Sequence, residues 1–176
     1  MSARALPIPP QPLRLAAIAA AGPALAGATL AMHDGLAVAA EIGLGLPLLI
    51  ASVAILMLPA LYIGTAFVGV APPLRDVVSA AGHALADVGR LMLAFTPALA
   101  FLVATSTHRI ASGLYGHLAL LGAAFFALRA MYSRLSARES AAFGPRELAG
   151  FLLFSGWSCI ALAIGWRFFI PLLFGR

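Results

Sequence analysis

Residues 42–74 form a run of 33 positions without one charged side chain. About 20 mostly apolar residues are enough for a helix to cross a hydrocarbon core of roughly 30 Å. This run is long enough to cross and continue, so it makes lipid the solvent of the chain.

The rest of the sequence agrees. It is 62% hydrophobic and 10% charged, against roughly 25% charged in a soluble domain. Its 17 glycines and 12 prolines fall largely inside apolar runs, as membrane helices tolerate. A length of 176 residues allows one domain. The formal charge is +5, and every basic residue is arginine. Because the arginines lie between apolar spans, their expected partners are anionic lipid headgroups, not nucleic acid. The single cysteine, Cys159, rules out an intrachain disulfide, CxxC redox chemistry and a cysteine-based zinc site. It is expected to be a small buried side chain.

The pattern predicts an all-α, polytopic membrane bundle: a proline-rich tail over 1–12, then a single transmembrane domain over 13–176. Pro7, Pro9, Pro10 and Pro12 favour an extended tail. Five spans are expected, at 13–32, 42–70, 91–107, 110–130 and 148–167. Pro23 could make the first re-entrant, leaving four. His33-Asp34-Gly35 reads as a turn, and Pro72-Pro73 as a stop. Polar residues then recur at Asp76, Ser79, His83, Asp87 and Arg90, opposite an apolar face of Leu74, Val77, Val78, Ala81, Leu85 and Val88. That is helical periodicity with one wet face, and it predicts an amphipathic interfacial helix over 74–90. Gly144-Pro145-Arg146-Glu147 reads as a helix start.

The arginine bias orients the chain. With the N-terminus inside, Arg4, Arg14, Arg75, Arg90, Arg129, Arg134, Arg138 and Arg146 fall on the inner side, and Arg109, Arg167 and Arg176 on the outer side. The expectation is a cytoplasmic N-terminus, an outer C-terminus and a bacterial inner membrane.

Few polar groups are out of place. His117 lies inside the fourth span, and an ionisable group there is a functional candidate, as a proton relay or axial haem ligand. The plainer alternative is a neutral imidazole bonded within the bundle. His33 and His108 share the outer side with Asp34 and Glu41 and are weak metal candidates, without a fixed ligand spacing such as HExxH. His83 and Asp87 stand one helical turn apart and could pair. Arg129, Arg134, Arg138 and Arg146 form an inner basic cluster suited to lipid headgroups or an acidic partner. Trp166 and Arg167 mark an interface. Ala16, Ala20, Ala24 and Ala28 make a small-residue stripe suited to helix packing. No GxSxG elbow, P-loop or dinucleotide fingerprint occurs, and the acids are scattered.

The function expected on these grounds is a non-catalytic membrane subunit, without cofactor or metal, that scaffolds, anchors or helps assemble a larger complex. Its expected partners are lipids and other membrane subunits or copies of itself. The alternatives are a small channel or transporter using proline-broken helices, or the membrane subunit of a redox complex.

Overall fold

A computed structural model describes residues 11–106, 109–136 and 144–174, and these are helical apart from short joints. α1 is Gln11–Leu30, α2 Leu36–Val68, α3 Leu74–Thr105, α4 Arg109–Ser136 and α5 Pro145–Phe174. Each is long and apolar enough to cross a membrane. The chain is a multi-pass helical membrane protein.

Local chemistry sets the ends. A 3-10 turn at Met32–Asp34 and Gly35 at φ 95° reverse the chain between α1 and α2. α2 ends on Gly69 at φ 76°, with Gly69 N–H donating to Ala66 O and Val70 N–H to Thr65 O. This is a Schellman closure, which needs a left-handed residue that glycine supplies without strain. Pro72-Pro73 follows, and the Pro73 carbonyl accepts the first N–H groups of α3.

The helices continue through their prolines. Pro23 lies inside α1, Pro47 and Pro59 inside α2, and Pro97 inside α3. α1 is one element of about 30 Å at 1.5 Å per residue, so no re-entrant break divides it. Gln11 and Pro12, placed in the tail by sequence, already belong to α1; the rest of that tail lies outside the described residues.

The main departure is at 74–90. No separate interfacial helix exists there; it is the first half of α3, a single helix of 32 residues. The helix runs unbroken from Leu74 to Thr105, Pro97 being its one residue without an N–H to donate. The apolar stripe of Val77, Ala81, Ala84 and Val88 is buried inside the bundle, while Leu74 and Val78 of the expected apolar face are exposed.

The bundle has two ends. The near end carries the starts of α1, α3 and α5 and the ends of α2 and α4; the far end carries their opposites. α1 is wedged between α2 and α3. A Cβ built on Gly22 would lie 2.9 Å from Gly89 Cα, and one on Gly27 2.8 Å from the Ile42 carbonyl oxygen. Only glycine permits this backbone contact. In lipid it matters because hydrocarbon gives helices no hydrophobic drive to associate, leaving close packing to hold them. α5 packs antiparallel on α2, with Leu172 filling the space at Gly45 and Leu153 that at Gly64. Ile42, Leu46, Leu61, Met92, Met131 and Phe169 are fully buried, while Leu48, Ile55, Ile63, Phe101, Leu118 and Leu152 point outward.

Candidate functional site

At the near end, one carboxylate organises the polar groups of two helices. Asp87 accepts from Arg90 Nη1 at 2.6 Å through Oδ1 and from Arg134 Nη2 at 2.7 Å through Oδ2. The Asp87 side chain is 19% exposed, so its two arginines largely replace water. Arg90 comes from the same face one turn on; Arg134 comes from the end of α4. Beside this clamp, Asp76, Ser79, His83 and Arg134 border a cleft of about 200 Å³. The expected His83–Asp87 pair is not formed: His83 Nδ1 lies 2.8 Å from Ser79 O, one turn back. Arginine, always charged and able to fork onto a carboxylate, takes the position instead.

At the far end, His117 is buried, with Nδ1 2.6 Å from Gly113 O, the geometry of an Nδ1–H donating to that carbonyl. Its ring lies 4.2 Å from that of Trp166 and 4.6 Å from that of Phe169, centroid to centroid. His33 Nε2 lies 3.1 Å from Val103 O and ties the α1–α2 turn to the end of α3. No group of three or more His, Cys, Asp or Glu suited to a metal occurs among the described residues; His108 lies outside them.

Between these ends, α2, α3, α4 and α5 line a half-open crevice of about 150 Å³ walled almost wholly by apolar atoms. Small side chains create it: Ala81 and Ala84 on α3, Ala124 and Ala127 on α4, Ala161 and Gly165 on α5. Trp157 forms part of its wall and donates from Nε1 to Met57 O at 2.7 Å.

The other sequence-predicted residues are dispersed. Arg129 is exposed, and Arg134 turns to Asp87. Arg146 lies in the first turn of α5, and Arg138 is outside the described residues. Trp166 and Arg167 are exposed, Trp166 with one face on His117. Ala24 and Ala28 meet Gly43 of α2, whereas Ala16 and Ala20 are exposed. Cys159, expected to be buried, is exposed on α5.

Two features escaped sequence reasoning. The Asp87–Arg134 pair spans 47 positions, beyond any helical spacing rule, although a carboxylate within a membrane helix signals that some partner exists. The crevice depends on how four helices meet. No family model matches the chain, and neither a curated protein nor a solved structure matches it.

Proposed function

We propose that the chain is a non-catalytic integral membrane subunit that scaffolds, anchors or helps assemble a larger membrane complex. One observation carries this: the described interior offers no hydrophilic route. The buried polar residues there are Thr65 and His117, each bonding a carbonyl of its own helix one turn back, and Ser158 Oγ is also buried. The crevice among α2, α3, α4 and α5 is apolar, and the polar cleft at Asp76, Ser79, His83 and Arg134 is confined to the near end. A channel or transporter places polar groups along its path, so the outward faces are where this molecule acts. α5 is the least buried of the five spans and is the face offered to a partner chain or a second copy.

The orientation that accompanies this proposal puts the near end in the cytoplasm of a bacterial inner membrane, where Arg14, Arg75, Arg90 and Arg129, all exposed, meet anionic headgroups. The amphipathic first half of α3 then sits with its Asp87 clamp at that interface.

Cys159 gives the test a position. A photoreactive residue placed there, at native expression level, should yield discrete adducts with a partner chain or a second copy, and the same chain should co-elute in mild detergent. A lone monomer with only lipid-sized adducts would refute the proposal and make ion or solute flux in liposomes the next measurement.

A further inference from the structure

The polar cleft beside the Asp87 clamp lies between the start of α3 and the end of α4. Pro72, in the joint before α3, forms part of its wall, so the cleft sits at the end of the bundle. α3 and α4 have 32 and 28 residues. Those are about 48 and 42 Å of helix, against a hydrocarbon core of roughly 30 Å. Asp76 in the first turn of α3 and Arg134 in the last turn of α4 therefore stand at the depth of lipid headgroups. At about 200 Å³ the cleft has room for several waters, and so for a small headgroup.

Charge along the cleft is segregated. Asp76 supplies a carboxylate at its outer end. Arg134 supplies a cation at its inner end, where Asp87 fixes the guanidinium and leaves that side chain 37% exposed. A guanidinium has five N–H donors, and the bond to Asp87 spends only part of them. Asp87 lies three turns along α3 from Asp76, about 16 Å. A single small ion cannot touch both charges. A short group with an amine at one end and a phosphate at the other can, with a hydrogen bond of about 2.8 Å at each. His83 stands between them. Its Nδ1 is 2.8 Å from Ser79 O, and a carbonyl only accepts, so that nitrogen carries the hydrogen. A neutral ring then offers Nε2 as an acceptor, which suits an amine and not a phosphate.

We propose that this cleft binds the phosphoethanolamine group of a phosphatidylethanolamine, with the ammonium toward Asp76 and His83 and the phosphate toward Arg134. The order is that of a lipid in its leaflet. The phosphate lies nearer the tails and the amine nearer water, as the Arg134 guanidinium lies deeper than Asp76. A primary ammonium donates hydrogen bonds, and the cleft supplies acceptors. Choline has no N–H and is held by aromatic rings; no Phe, Tyr or Trp stands among the described lining residues.

The test compares headgroups. Protein stripped of bound lipid in mild detergent is titrated with phosphatidylethanolamine, phosphatidylcholine or phosphatidylglycerol of identical acyl chains and weighed by native mass spectrometry. The ethanolamine lipid should bind as one equivalent, about tenfold or more tighter than the other two, since losing a hydrogen bond to a charged group costs at least that factor. Asp76→Asn should bring it down to the level of the choline lipid. Ser79→Leu, which fills the cleft and keeps every charge, should do the same. Arg75→Gln is the control: that arginine is exposed beside Asp76 and does not line the cleft, so the preference should stay that of wild type. Equal binding of the ethanolamine and choline lipids by wild type, or tighter binding of the glycerol lipid, overturns the proposal with no variant needed. Soluble O-phosphoethanolamine separates the two sources of the group. At equal concentration it should leave the bound lipid in place; displacement would assign the cleft to a soluble ligand and overturn its role as a lipid site.

Discussion

Replacing Gly89 with alanine perturbs the bundle where two backbones touch. The added methyl would lie 2.8 Å from Ala19 Cα and closer still to the Ile18 carbonyl oxygen. Carbon atoms rest at about 3.5–4.0 Å, so α1 and α3 must part by about 1 Å at the crossing. A gap of that size forfeits a quarter to a half of the dispersion well for each atom pair along the seam. With no hydrophobic drive in lipid to compensate, the expected loss is about 2–3 kcal/mol, at the upper end of overpacking effects. Gly82→Ala provides the comparison. It lies in the same helix, a Cβ there meets nothing within 4 Å, and helix propensity favours alanine by up to about 1 kcal/mol. The assay is equilibrium unfolding by SDS in mixed micelles, followed by circular dichroism. If Gly89→Ala proved as stable as Gly82→Ala, the two helices would not be in backbone contact, and the account of how α1 is held would fail.

The Asp87 clamp should show as energetic coupling. A double-mutant cycle of Asp87→Asn and Arg134→Gln is expected to give about 0.5–1 kcal/mol, shrinking at high salt; no coupling would mean the pair does not form in the membrane. His117→Phe should keep the contacts with Trp166 and Phe169 and stay within about 1.5 kcal/mol of wild type, whereas His117→Ala should lose about 2–4 kcal/mol. Equal losses in unfolding experiments would show that the imidazole nitrogens matter, not the ring. Ser158 Oγ is buried without a hydrogen-bond partner, so Ser158→Ala should leave unfolding unchanged or raise stability by up to about 1 kcal/mol; a clear loss would reveal a partner for that hydroxyl.

Five apolar helices could be read from the sequence because hydropathy over a span length is a strong signal, and the turns at His33–Gly35 and Pro72-Pro73 because their backbone chemistry is local. The helix ends were harder to read. A helix does not stop where the hydrocarbon does, and α3 carries its polar residues without a break. The amphipathic pattern of 74–90 says which face is dry but not what covers it, and α1 and α4 pack over it. Asp87 had two candidates at helical spacing, His83 four residues before and Arg90 three after. The structure adds Arg134, which no spacing could reveal. A period of four drifts around a helix of 3.6 residues per turn, so Ala24 and Ala28 reach α2 while Ala16 and Ala20 face out. Cys159 follows a soluble-protein habit only in expectation: in lipid the outside of a bundle is as apolar as its core, and a thiol gains little by turning inward.

The wedge position of α1 bears on the order in which the protein is made. α1 leaves the ribosome first, yet the helix it touches most closely, α3, follows only after α2 has been synthesised. α1 must therefore wait in the membrane through the synthesis of α2, and the tightest contact closes once the chain has been extended to Thr105. α5 arrives last and docks along α2, meeting α4 less closely. Errors in the two helices thus have different fates. A defective α5 leaves four helices already assembled around a finished crossing, a remnant able to persist. A defective α1 leaves α2 and α3 with no common wedge to close on, and the failure begins before α4 and α5 exist.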